Sequence, residues 1–278
     1  MTTETLDRPV PATPTAPDPP ANPSPPPIIT VGRLAEALAG EGIPYCHWKS
    51  NAHLAASAQG ATDLDVLVDR AHDQALTLVL TRLGWKRFAA VPWLAYPAVE
   101  DYLAFDADTG RLVHLHLHHE LTLGERNLKG YHLPWESDLF ASRRLDRATG
   151  LYVADPTAEL LLLLVRSALK LGARDRLGAW VGDGTLDPSV QLEYDWLIAR
   201  ASLADLPALS ERLIGPRSAA LTHRLGAAEL AKDWLFAFAR CAQKELRGCR
   251  TYEPAIARLR RGLRGARAAV SAAEEHNV

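Results

Sequence analysis

Apolar positions in the N-terminal third recur first at helical spacing and then at strand spacing. In TVGRLAEALAGEGI, Val31, Leu34, Leu38 and Ile43 fall near one helical face, and Gly40 and Gly42 mark the stop. PYCHW then reads as a short strand, Lys49-Ser50-Asn51 as a polar turn, and the small residues through about Ala58 as a short helix. TDLDVLV reads as a strand, and Asp69 is placed to cap the helix RAHDQALTLVLTRLG behind it.

The runs WKRFAA, DYLAFD and RLVHLHLHH continue the strand pattern, the last two joined through the turn ADTG as a hairpin. Helix and strand therefore alternate before a hairpin intervenes, which predicts a mixed sheet rather than an all-parallel one. From about Asp155 the pattern is helical almost throughout, with Asp155 and Pro156 as N-cap and first-turn proline of TAELLLLLVRSALKL. The expected organisation is α+β: a tail over 1–27, a mixed α/β sheet domain over 28–150 and a helical bundle over 151–278.

Residues 1–27 hold more than half of the chain's 19 prolines and no apolar stretch, so they predict a disordered, partly polyproline II tail and not a signal peptide. The balance of 47% hydrophobic and 23% charged residues is that of an ordinary soluble globular protein. A formal net charge of −2 gives no electrostatic reason to expect nucleic acid. Cys46, Cys241 and Cys249 show no CxxC spacing, which points away from disulfides and thiolate zinc and towards a reducing, cytoplasmic setting. The longest apolar run is cut by Arg166 and Lys170, so no transmembrane segment is expected.

The chemistry concentrates in TDLDVLV. On a strand, residues i and i+2 share a face, so Asp63 and Asp65 project together with Cα atoms roughly 6.5–7 Å apart, while Leu64, Val66 and Val68 face a core. Two carboxylates placed so repel one another unless a cation lies between them. Mg²⁺ suits such a pair, since it takes hard oxygen ligands and completes its shell with water and substrate phosphates.

The order of strand, Lys-Ser-Asn turn, helix and D-x-D strand, with twelve residues between Ser50 and Asp63, resembles the DNA polymerase β-like nucleotidyltransferase superfamily. CHWKSN with DLDVLVDR looks more narrowly like its poorly characterised bacterial branch of small nucleotidyltransferase-like proteins. The resemblance spans about Ile28 to Pro134. It implies a nucleotidyltransferase-type sheet, an NTP donor held with Mg²⁺ or Mn²⁺ on Asp63 and Asp65, and phosphates gripped by Ser50, Asn51 and backbone N–H groups of the turn. Lys49 stands where the family usually has glycine and could lend a charge to the triphosphate.

The superfamily also needs a third carboxylate on a later strand, where this chain reads VHLHLHHEL. His114, His116 and His118 share one strand face. His114 or His116 could serve as base or metal ligand, His116 being the metal-ligand expectation, and imidazole would shift preference towards Mn²⁺ or Zn²⁺. Asp106 or Glu120 could instead supply the missing acid, although Asp106 reads more simply as a turn residue. An HxH zinc site is a further reading, with no third partner identifiable from spacing.

Arg126 and Lys129, in the polar loop after the histidine strand, are candidate phosphate contacts, as are Arg166 and Lys170 one helical turn apart. The arginine-rich IARLRRGLRGARAAV reads as the solvated face of a helix. The leading expectation is thus a metal-dependent nucleotidyltransferase that moves an NMP group from an NTP to a hydroxyl or phosphate of a small-molecule or protein acceptor. The alternative is a catalytically silent nucleotide-binding or regulatory, antitoxin-like relative that engages a partner protein.

Overall fold

The structure, a computed structural model, describes residues 26–89, 95–96, 98–124, 129–171, 188–225 and 232–251. The chain is a mixed α/β protein. The elements run α1 (Ile29–Gly40), β1 (Tyr45–His47), α2 (Leu54–Ala58), β2 (Leu64–Val68), α3 (Asp73–Arg82), β3 (Lys86–Phe88), β4 (Val99–Asp106) and β5 (Arg111–His118). There follow β6 (Leu121–Leu123), β7 (Tyr131–Leu133), α4 (Glu136–Ser142), β8 (Arg144–Leu145), β9 (Tyr152–Val153) and α5 (Pro156–Lys170). Then come α6 (Pro188–Ile198), α7 (Leu206–Leu213), α8 (Pro216–Thr222) and α9 (Lys232–Glu245).

Seven strands form one mixed sheet in the order β3-β4-β5-β2-β1-β9-β8, and β6 pairs with β7 separately. β2 runs antiparallel to β1 and parallel to β5, which is itself the second strand of the expected hairpin with β4. The sheet continues to Val153, so the change of pattern expected at residue 150 falls inside the β8–β9 hairpin. The proline-rich residues 1–25 and the arginine-rich segment from 252 lie outside the described residues.

The alternation along the strands decides what each sheet face meets. Leu64, Val66 and Val68 of β2, with Val113, Leu115 and Leu117 of β5, turn towards α1 and α3 and bury a core with Val31, Leu34, Leu38, Leu76 and Leu80. On the other face, Cys46, Trp48 and Leu67 join a second core built around α5. That helix is apolar almost all round, as a helix enclosed on every side must be: Leu160 to Val165 are all buried, and α6, α7 and α9 pack against it. Towards the β4–β5 end this second face is uncovered, and Phe105 and Leu112 lie exposed on it. The histidines of β5 stand between the covered and the open part.

Both expected helix caps form. The Asp69 side chain accepts from the Ala71 amide, and that of Asp155 from the Thr157 amide. Among the described residues, no helix is long and apolar enough to cross a membrane.

Candidate metal centre

Register builds the site. Because Leu64 pairs with Leu115 and Asp65 with His116 across the parallel β2–β5 ladder, acids on one strand meet imidazoles on the next. The β4–β5 ladder sets Asp101 opposite His116, which extends the row to a third strand. Asp65 Oδ1 lies 3.0 Å from His116 Nδ1 and 3.7 Å from His118 Nε2, and it receives Lys49 Nζ at 2.7 Å from the turn after β1. Asp65 is buried and His118 wholly so, with Trp48 edge-on to the His118 ring at 5.1 Å.

Each of Asp65, His116 and His118 offers one ligand atom, and these lie within 4.8 Å of one another, so the three could hold a metal ion. Asp63 lies outside this group. Its carboxylate is largely exposed and takes His114 Nδ1 at 2.8 Å, while His114 Nε2 meets Asp101 at 3.0 Å. The expected geometry of one cation between the two aspartates therefore meets a different arrangement: each aspartate has its own imidazole, and Lys49 already neutralises the inner one.

Charge follows from these partners. Burial alone would raise the Asp65 carboxyl, but His116, His118 and Lys49 hold it far below the usual carboxylate range. Burial keeps His118 neutral, with its pKa down to about 3. Burial also opposes charging of His114, yet its bonds to Asp63 and Asp101 outweigh that and raise its pKa. An imidazole so placed favours its cationic form, which suits an acid or a fixed positive charge better than a base.

Lys129, expected from sequence as a phosphate contact, comes close enough to feel Asp65, Asp101, Lys49 and Lys170, and lies over the Tyr96 ring at 4.3 Å. Burial and then the neighbouring Lys49 charge lower its pKa to about 8. A cavity of about 340 Å³ opens beside His116, lined by Phe88, Tyr96, Glu100 and Asp101 among others. Arg126 lies outside the described residues.

The turn at Lys49-Ser50-Asn51 spends its Ser50 and Asn51 amide donors within the protein. Ser50 is left-handed (φ 57°) and makes no side-chain capping bond; its amide donates to Glu193 Oε1 of α6 at 3.1 Å. The Asn51 amide donates to Glu159 Oε1 of α5 at 2.8 Å, and Asn51 Nδ2 to Glu159 Oε2 at 2.7 Å. Groups expected to grip phosphate are thus engaged by carboxylates. Arg166 is likewise engaged, 3.3 Å from Glu193 Oε1.

The two alternative acids serve elsewhere. Asp106 closes the hairpin turn, Oδ1 accepting from the Thr109 amide and hydroxyl and Oδ2 from the Thr30 amide at the start of α1. Glu120 faces Arg70 at 3.5 Å and His132 at 3.9 Å. Asp106→Ala should therefore lower stability by about 2 kcal/mol through three lost hydrogen bonds, and leave divalent-ion binding unchanged. Thermal melting and calorimetric titration check the two halves of that expectation; loss of ion binding in a folded Asp106→Ala protein would contradict it.

Three participants were not singled out from sequence. His118 shares the period-two face of His114 and His116, so its signal was present. Asp101 carried a weaker one, since its face on β4 depends on the pairing register. Glu159, a lone charge just ahead of a leucine run on a helix buried on every side, signals a buried partner without naming it. The HxH reading had lacked a third ligand because Asp65 comes from another strand, fifty-odd residues away in sequence. No family model matches the chain, and no curated protein matches it.

Proposed function

We propose that the chain is a metal-dependent nucleotidyltransferase on a polymerase β-like plan, in which imidazoles on β5 stand where the superfamily places its third carboxylate. The observation that carries this reading is the convergence of Asp65 with His116 and His118, with Lys49 on Asp65 and Lys129 near enough to feel its charge, beside a cavity of about 340 Å³ at His116. Two lysines and an imidazole biased towards its charged form, around a site with an acidic ligand, suit a polyphosphate held through a cation. A bound divalent ion would supply charge neutralisation at the α-phosphate and at the departing pyrophosphate.

In the reaction, the acceptor oxygen forms a bond to the α-phosphorus, the bond from that phosphorus to the bridging oxygen breaks, and pyrophosphate leaves. Lys129, with its lowered pKa, can pair with a phosphate or take up the acceptor proton near neutral pH. His114, fixed between Asp63 and Asp101, holds positive charge at the edge of the pocket and can protonate a leaving oxygen. Were an ion to bind Asp65 Oδ1, Lys49 would give up that contact, and its ammonium would be free to pair with phosphate.

A specific observation favours the silent alternative. The Ser50 and Asn51 amides are occupied by Glu193 and Glu159, so neither amide is free for phosphate. The two readings separate on incubation of the full chain with each NTP and Mg²⁺ or Mn²⁺. Pyrophosphate release with a nucleotide-sized mass increment on an acceptor supports transfer. Metal-dependent nucleotide binding with no pyrophosphate supports the silent relative, and absence of both discards the nucleotide reading altogether.

A further inference from the structure

We infer that Asp65, His116 and His118 form a site for a first-row divalent cation that prefers imidazole, such as Zn²⁺, and that Asp63 is not one of its ligands. The inference rests on the reading above for which pocket is functional, but its evidence is the geometry of the side chains themselves.

Ligand spacing is the first argument. Two donor atoms each about 2.0–2.1 Å from a tetrahedral ion lie about 3.4 Å apart. His116 Nδ1 at 3.0 Å and His118 Nε2 at 3.7 Å from Asp65 Oδ1 bracket that separation, and the three ligand atoms all lie within 4.8 Å of one another.

His118 also carries an unmet hydrogen-bonding demand. His118 is fully buried, and neither of its ring nitrogens has a hydrogen-bond partner. Buried polar atoms in folded proteins are seldom left so, because the desolvation cost goes uncompensated. The ring is held by edge contacts with Trp48 at 5.1 Å and His116 at 4.5 Å, so packing gives it the orientation that a hydrogen bond supplies in most metal-bound histidines. An imidazole fixed this way, with Nε2 turned to a carboxylate just beyond bonding range, is arranged for a third body between them.

Donor chemistry then chooses the class of ion. Mg²⁺ takes oxygen ligands and keeps its waters, whereas two imidazoles with one carboxylate suit Zn²⁺, Fe²⁺ or Mn²⁺. Three protein ligands leave a position open for water or a substrate oxygen, as catalytic rather than structural sites do. Asp63 is spent on His114, whereas Asp65 faces both imidazoles of the pair.

Lys49 gives the inference its sharpest consequence. Its ammonium, 2.7 Å from Asp65 Oδ1, is a monovalent competitor for the same oxygen. Removing it should strengthen metal binding, the reverse of what a ligand or a supporting residue would do.

The test is calorimetric titration of the full chain with Zn²⁺ in the presence of excess Mg²⁺, with Co²⁺ absorption as a second readout of coordination. One equivalent of Zn²⁺ per chain is expected, undisplaced by Mg²⁺. Asp65→Asn and His116→Gln should each weaken binding by about 100-fold, Asp63→Asn by less than about 3-fold, and Lys49→Met should tighten it by about 10-fold. His118→Asn is included with circular dichroism as a fold check; should it not fold, His116→Gln and Lys49→Met decide. The inference is overturned if the wild-type chain binds no Zn²⁺, if Asp63→Asn weakens binding as much as Asp65→Asn, or if Lys49→Met weakens it. Zinc bound as described without pyrophosphate release removes the transfer reading alone. Mg²⁺-dependent transfer without a zinc site removes this inference alone.

Discussion

Asp65→Asn is expected to suppress pyrophosphate release by about 1000-fold or more, and Asp63→Asn by only about 10- to 100-fold. The asymmetry follows from what each carboxylate touches. Asp65 is buried and draws His116, His118 and Lys49 towards one oxygen, so its charge is what gathers the site. Asp63 is more than half exposed, and its described partner is His114. Losing Asp63 weakens the hold on one imidazole, whose other nitrogen still has Asp101. Initial rates of pyrophosphate release on the two variants and the parent measure the ratio. Equal losses would mean that one cation is shared by both aspartates, and the arrangement centred on Asp65 would be wrong.

The same substitution tests stability. Asparagine removes the counter-charge of Lys49 in a largely dry place, and the expected cost is about 2 kcal/mol, less than for a fully buried pair because Lys49 reaches partly into solvent. The sign with pH is fixed by the direction of the shift. The folded-state pKa of Asp65 is depressed, so its contribution is fully present above the ordinary 3.8 and is lost as pH falls below that value. The parent should therefore lose stability on that acid limb more steeply than Asp65→Asn, as urea unfolding between pH 3 and pH 6 would report.

How far the sequence revealed this site depends on whether a feature is periodic or paired. Alternation placed β2 and β5 and put Asp65, His114, His116 and His118 on definite faces, because side-chain direction on a strand depends only on the residue's own position. Which acid meets which imidazole depends on register, and nothing local to TDLDVLV or VHLHLHH states that Asp65 lies opposite His116. Asp101 escaped notice for the same reason, its partner strand being needed to aim it. Asp106 shows the converse: turn chemistry is local, and the turn role read from FDADTG is the one found. The Lys-Ser-Asn turn was legible as a turn, but not the identity of what fills its donors, since Glu159 and Glu193 arrive from helices more than a hundred residues later. A glutamate set directly before five leucines states that a buried acid needs partners; only the fold names Asn51.

Glu159→Ala is expected to lower stability by about 3 kcal/mol, which for a chain of this size is a fall in midpoint of roughly 10 °C. The Asn51 amide and Nδ2 both lose their acceptor in a buried position, and a cavity opens beneath the turn. Glu159→Gln should be far milder. Its carboxamide keeps the shape, and its oxygen still accepts from the Asn51 amide.

The pair of variants also exposes a titration. Burial raises the Glu159 carboxyl from the ordinary 4.5 to about 7 despite the two bonds from Asn51. Between those values the folded protein binds a proton that the unfolded chain has released, so the parent loses stability as pH rises through the interval and levels off above it. Glutamine cannot titrate. The buried neutral imidazoles of His47 and His118 shift stability in the opposite sense at acid pH, but they do so in both proteins and cancel in the comparison. Urea unfolding at pH 5, 6, 7 and 8 should show Glu159→Gln gaining on the parent by on the order of 2–3 kcal/mol across the series. A difference that stays flat would mean that Glu159 is ionised throughout and that Asn51 outweighs its burial. Because Ser50 and Lys49 directly precede Asn51, loosening this anchor in Glu159→Ala should also displace the Lys49 ammonium from the pocket and reduce pyrophosphate release, whereas Glu159→Gln should leave that rate close to the parent's.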